Sequence, residues 1–142
     1  ENDLIDPACE ETNTSSKNVE RHRTALNRYN FSAPIQALMR FGYLDGQYKV
    51  FDYGCGHGDD VRGLIENNIT ATGWDPFFAT NEKLVEAELV NLGFVINVIE
   101  DLDERIEALE GAYFLADKLL VIGVMLPNQK TIGGFFLRPS IF

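Results

Sequence analysis

At 142 residues, with 45% hydrophobic, 11% aromatic and 24% charged side chains, the chain has the make-up of one globular domain, which excludes disorder as its overall state. Its 22 acids against 12 Lys and Arg give a formal charge of −10, which opposes unassisted binding to nucleic acid or to an anionic membrane, because phosphate contacts need Lys and Arg. The longest apolar run, residues 119–126, is far short of the roughly 20 residues that span a bilayer, so no membrane contact is expected.

The first 20 residues carry Glu1, Asp3, Asp6, Glu10, Glu11 and Glu20 against Lys17 and read as an acidic, mobile leader. The sign then reverses: Arg21, Arg23, Arg28, Arg40 and Lys49 face only Asp45, a basic strip in an acidic protein. Arg21, Arg23 and Arg28, with His22, are candidates for approaching a phosphate, against the plainer reading of a solvated segment. Ser32 is a candidate N-cap, with Pro34 in the first turn, Ile35, Leu38 and Met39 on one face and Gly42 as a stop, which predicts a helix of about ten residues.

Residues 48–53 form a short apolar run ending at Gly54, predicted as a strand. A helix is predicted over 59–68, starting at two acids, with Val61, Leu64 and Ile65 on one face and Asn67-Asn68 at its end. Strands are predicted over 69–74 and 89–92. Asp103 is a candidate cap for a helix to about Asp117 with Ile106, Leu109, Tyr113 and Ala116 inward, and a last strand runs over 118–126. Strands that alternate with helices and are apolar throughout indicate an α/β domain with a mostly parallel sheet of about four strands flanked by helices. Ligands of such sheets bind beyond the carboxyl ends of the strands.

The strongest local feature is Asp52-Tyr53-Gly54-Cys55-Gly56-His57-Gly58, placed between a strand and a helix, where glycine lets the backbone turn tightly against a ligand. Its spacing is D-x-G-x-G-x-G. A dinucleotide turn starting at Gly54 would need glycine where Asp59 stands, and an acid there repels a pyrophosphate, so the turn is wrong for NAD. It suits a ligand carrying an ammonium and a sulfonium: Asp52 can face an amine or an ordered water, and residues 54–56 offer backbone to the amino-acid half. Asp75 ends the next strand 23 residues after Asp52, where a carboxylate can accept from a ribose diol.

On these residues the segment resembles the first two motifs of the S-adenosylmethionine-dependent methyltransferases of the Rossmann-like class. The resemblance extends over about residues 20–126. It takes in Arg21-His22-Arg23-Thr24-Ala25-Leu26-Asn27-Arg28, Phe31-Ser32-Ala33-Pro34, Gly73-Trp74-Asp75-Pro76 and the segment from Val90 to Asp101 with Glu104-Arg105, which are similar to the methyltransferases associated with DNA phosphorothioation. That resemblance implies S-adenosylmethionine as cofactor, held by Asp52, Tyr53, Gly54, Cys55, Gly56, Asp75 and Asn91, and a link to DNA modification or restriction. Asn91-Leu92-Gly93-Phe94 stands where DNA amino-methyltransferases carry N-P-P-Y. It keeps the Asn and the aromatic and lacks both prolines, so Asn91 and Phe94 are the candidates for contact with a methyl acceptor; the plainer reading ends a strand at Asn91 and packs Phe94 in the core.

Other residues carry less. His57 is expected to face solvent, Cys55 to pack rather than attack, and residues 100–110 to form a solvated acidic face. Neither Cys9 nor Cys55 nor either histidine has metal-ligand spacing, so no metal is expected and the setting is read as reducing and cytoplasmic. The resembled core has seven strands. Only 14 residues separate Asp75 from Val90, too few for its third strand with flanking helices, and 15 follow Pro127, too few for its last helix and hairpin. The expectation is therefore an incomplete methyltransferase core over residues 21–126, followed by an apolar tail over 127–142. A first residue that is not Met and an apolar end favour a piece of something longer, with the tail covered by more chain, by a second copy or by a partner; the alternative is an inactive cofactor-binding or interaction module.

Overall fold

The computed structural model describes residues 30–126 and 132–137. The acidic leader, the strip Arg21, Arg23 and Arg28, Cys9 and the rest of the 127–142 tail lie outside the described residues. In chain order the elements are α1 (Ala33–Arg40), β1 (Val50–Tyr53), α2 (Asp59–Glu66), β2 (Ala71–Trp74), β3 (Ala87–Gly93), α3 (Val95–Val98), α4 (Leu102–Leu115), β4 (Ala116–Val124) and β5 (Ile132–Leu137). They form one sheet in the order β2-β1-β3-β4-β5. The first four strands are parallel, and β5 runs antiparallel along β4 from Leu119↔Leu137 to Val124↔Ile132. The sequence reading left residues 132–137 in a tail. Their backbone instead completes the hydrogen bonding of the outer side of β4, which a nine-residue strand would otherwise leave open.

Each face of the sheet is covered by helix. On one side Val50, Leu89, Leu119 and Val121 pack with Ile35 and Leu38 of α1 and Leu64 of α2. On the other, Phe51, Val90, Leu92 and Leu120 pack with Ala112 of α4 and with Ala116, the first residue of β4. Strands buried on both faces are apolar at consecutive positions, which is why they read from sequence as continuous runs. Pro34 closes the α1 side over the strand ends: a Cβ at Gly123 would come within 2.6 Å of Pro34 Cγ.

The helix α4 is rotated from its predicted orientation. Its buried residues are Ala108 and Ala112, while Ile106, Leu109 and Tyr113, predicted inward, are exposed. Small side chains bring the helix close to the sheet, and Gly111 is part of the same surface, since a Cβ there would lie 3.0 Å from the Tyr53 hydroxyl. Its cap is Asp101, whose side chain accepts from the Glu104 N–H at 3.0 Å, rather than Asp103. Ser32 precedes α1 in extended conformation and makes no side-chain cap bond; its backbone N–H donates to Asp60 Oδ1 at 3.0 Å, tying α1 to the start of α2. Among the described residues, no helix is long and apolar enough to cross a membrane.

Candidate functional site

The sheet reverses its direction of growth at β1. The chain moves outward from β1 to β2, then returns to place β3 on the opposite side of β1. In an open parallel sheet this switch point leaves a crevice outside the carboxyl ends of the two diverging strands. The glycine turn sits there. Gly54, Gly56 and Gly58 have φ of +79°, +54° and +76°, a region side chains disfavour, and a Cβ at Gly54 would collide with Val95 Cγ2. The N–H groups of Gly54 and Cys55 both donate to the Trp74 carbonyl, at 2.7 and 3.0 Å, so the turn is clipped to the end of β2.

Asp75, immediately past β2, holds the other side of this clip. Its Oδ2 accepts from the Gly56 N–H at 3.0 Å, and its Oδ1 accepts from the N–H groups of Phe77 and Phe78 at 2.8 and 3.0 Å. Burial pushes this carboxyl up, but the three backbone amides and the nearby His57 outweigh that and hold its pKa below the usual value. With two acceptor positions per carboxylate oxygen, Oδ1 is filled and Oδ2 retains one. Asp75 therefore organises both the glycine turn and the loop after β2.

Asp52 and Asn91 are register neighbours on β1 and β3 and both are buried. Asn91 Nδ2 donates to Asp52 Oδ1 at 2.8 Å. Burial is the main cause that raises the Asp52 pKa to about 7; the Asn91 hydrogen bond opposes it, and the charges of Asp60 and Asp75 add to it. Asn91 Oδ1 and Ser32 Oγ are buried with no hydrogen-bond partner among the described residues. Asn91 thus does not end its strand; it lies two residues inside β3, with its Oδ1 buried. Such an acceptor is costly to bury unless something donates to it.

Phe94 follows β3 in the left-handed region, with φ of 63°, and its N–H donates to the Gly123 carbonyl at 2.8 Å. It is half-buried and lines the crevice rather than the core. From there the crevice continues in two overlapping chambers that share Gly54, Pro76, Phe77, Val95, Ile99 and Glu104. One of about 330 Å³ runs from Asp75 across to Gly93 and Phe94, and the other, of about 390 Å³, lies between Tyr53, Trp74 and α4. Both are within the roughly 300–1,000 Å³ of small-molecule sites.

The remaining candidates fall into place around this crevice. His57 is exposed and sits over the Phe78 ring at 4.1 Å between centroids. Burial pushes the Cys55 thiol up to about 11, with the charges of Asp52 and Asp75 adding, which leaves it protonated and unreactive near neutrality. No group of three His, Cys, Asp or Glu able to hold a metal occurs among the described residues. The crevice brings together Tyr53, Gly54, Asp75 and Phe94, with Gly56 bonded to Asp75, while Asp52 and Asn91 are buried and do not line it; it adds Phe77, Val95, Ile99, Glu104 and Glu107, to which the sequence reading gave no site role. Phe77 had a readable signal, a phenylalanine pair directly after Asp75-Pro76. Val95 and Glu104 stood only within the resembled segments and Glu107 had no signal, because only the crossing of α3 and α4 over the strand ends brings them to the site.

A parallel sheet with its glycine turn at the switch point and an acid at the next strand end is a Rossmann-like α/β arrangement. Among solved structures, the chain is similar to magnesium protoporphyrin IX methyltransferase from Synechocystis PCC 6803 with bound SAH, at 16% identity and a TM-score of 0.53, over 86% of this chain and 64% of that one. This chain therefore spans less than two thirds of that enzyme's length. A SAM-dependent methyltransferase from Thermotoga maritima aligns at 15% identity and a TM-score of 0.38, over 76% of this chain and 57% of its own. Thermoplasma acidophilum 1320 aligns at 12% identity and 0.41, over 87% and 98%. No family model and no curated protein matches the sequence.

Proposed function

We propose that the chain is the cofactor-binding core of an S-adenosylmethionine-dependent methyltransferase acting in DNA modification. The observation that carries the first half is the bond from the Gly56 N–H to Asp75 Oδ2 at 3.0 Å, which joins the glycine turn to the acid of the second strand across the switch-point crevice. The likeness to an enzyme solved with bound SAH supports the same cofactor. The link to DNA rests on the similarity of Phe31-Ser32-Ala33-Pro34, Gly73-Trp74-Asp75-Pro76 and the Asn91 segment to the phosphorothioation-associated methyltransferases.

The residues present fit this cofactor. Oδ2 of Asp75 keeps one acceptor position for a ribose hydroxyl, Phe77, Val95 and Ile99 offer apolar surface to a flat ring, and the buried Asp52 carboxyl would supply negative charge toward an ammonium. When bound, S-adenosylmethionine supplies an activated methyl group, whose transfer is an in-line displacement that needs alignment more than an enzyme nucleophile. The chain's part is then to hold and align. The glycines keep side chains out of the turn, Phe94 and Val95 narrow the crevice and exclude water, and Asp52, near its titration point at neutral pH, favours its charged form when a cation approaches.

Titration calorimetry with S-adenosylmethionine and with SAH tests the cofactor, and radiolabelled methyl transfer to DNA, RNA and protein tests the reaction. Binding that weakens in Asp75→Ala is expected; no binding, or binding unchanged in that variant, sinks the site. A second reading, cofactor binding without transfer, is favoured by the Asp52–Asn91 bond, which draws the candidate acceptor-contacting Asn91 into the interior. Binding with no transfer to any acceptor by the full-length protein would support it.

A further inference from the structure

Helix α4 carries two apolar sides, and the sheet uses one of them. Ala108 and Ala112 are buried against the strands. Leu102, Ile106 and Leu109 follow one another at helical spacing along another side, are 65%, 45% and 38% exposed, and belong to neither core cluster and to neither chamber of the crevice. At about 3.6 residues per turn this row lies roughly opposite Gly111, where a Cβ would meet the Tyr53 hydroxyl of β1. It therefore turns toward the β4 side of the sheet, where Ile122 and Val124 are half-buried. Asp103 and Glu110, seven residues apart, flank the row, and with Glu104 and Glu107 against Arg105 they leave α4 at −3.

We propose that residues 17–29 of this chain dock on this row. Position, charge and spacing select that occupant. Pro34 lies against the carboxyl ends of β3 and β4, since a Cβ at Gly93 or Gly123 would come within 3.4 or 2.6 Å of its Cγ, and α4 starts at the same end, where Ile99 and Glu104 line the crevice. The chain that leads into α1 therefore arrives beside the start of α4. Lys17, Arg21, Arg23 and Arg28 against Glu20 give the segment +3, the complement of the helix. Val19 and Leu26 stand seven residues apart, as Leu102 and Leu109 do, and Arg21 and Arg28 stand seven apart, as Asp103 and Glu110 do. Seven residues are about two helical turns, so both sets meet at once, apolar on apolar and cation on anion. A second copy of α4 on the same row would set −3 against −3, which like-charge repulsion opposes.

Trypsin cleavage after Arg23 in the full chain reads the open fraction of this segment, with cleavage after Lys83, in an exposed loop, as the internal reference. The parent ratio is expected to be low and independent of protein concentration. In the Asp103→Lys, Glu110→Lys double variant, both positions being exposed and outside the core, the ratio is expected to rise about tenfold, the scale of two ion pairs turned into like-charge contacts. Adding Arg21→Glu and Arg28→Glu reverses the other side of the contact and is expected to restore the parent ratio, which a variant that merely loosens α4 would not do. An unchanged ratio in the double variant, or no recovery in the fourfold one, overturns the proposal. So does protection that depends on protein concentration, which would assign the row to a second copy, and protection that arises only with duplex DNA present, which would assign the arginines to phosphate. None of these readouts involves a cofactor, so the outcome is separate from that of the crevice.

Discussion

Asp52 concentrates the electrostatics of the site. Its folded pKa of about 7 lies above the value of 3.8 it has when exposed, so between these values the folded state holds a proton that the unfolded state has released. The sign follows: stability from this group is full below about pH 4 and is lost as pH rises through about 7, by a few kcal/mol in all. Asp52→Asn keeps an acceptor for Asn91 and removes the titration. Urea midpoints at pH 4, 6 and 8 should therefore diverge, with the variant gaining on the parent protein as pH rises; parallel curves would show that burial does not shift this group. Gly54 makes a second residue-level case. Gly54→Ala should destabilise by about 1–3 kcal/mol through its positive φ and the collision with Val95, and adding Val95→Ala should recover only the collision part, measured as a double-mutant cycle by denaturant unfolding. The aspartates and glycines were legible in the sequence because both act through local backbone geometry. The bond between Asp52 and Asn91 was not, since 39 residues separate them and only strand register makes them neighbours.

At the scale of elements, strand–turn–helix units were read well and the long helix poorly. Residues 50–74 carry their own punctuation, glycine between β1 and α2, and Asn68 at a φ of 62° after α2, so their limits follow from the chain itself. In α4 apolar residues occupy more than one face: Leu102, Ile106 and Leu109 lie outside and Ala108 and Ala112 lie inside. Counting apolar positions favours the larger side chains, whereas the sheet selects the smaller ones because Tyr53 and the strands beneath leave little height. Ala112, with no exposed surface, should tolerate enlargement badly: Ala112→Leu is expected to cost about 1–3 kcal/mol. Ile106→Gln, on the exposed face, is expected to change stability by less than about 0.5 kcal/mol. Thermal unfolding of the two variants decides between the observed and the predicted orientation, since the predicted one reverses the order.

At the scale of the whole molecule, and among the described residues, the sheet order places Asp52, the glycine turn, Asp75, Asn91 and Phe94 toward the carboxyl ends of the strands, with helices on both faces. The antiparallel β5 is what protects β4 from becoming an open edge. Removing residues 132–142 should expose the N–H and C=O groups along β4 and drive self-association, seen by sedimentation as loss of monomer; a monomer of unchanged stability would contradict that role. The charge of −10 is unevenly spread, and the crevice reflects it, with Glu100, Glu104 and Glu107 along the side formed by α3 and α4. By itself the sequence determined the class of fold, the position of the glycine turn and the acid that follows the second strand, because period, punctuation and turn chemistry are local properties. Only the tertiary structure decided which face of α4 is buried, that Asp75 spends most of its acceptors on the protein's own backbone, and that Asn91 meets Asp52. Those outcomes depend on distances between segments remote along the chain, and strand pairing and helix packing, not neighbouring residues, set such distances.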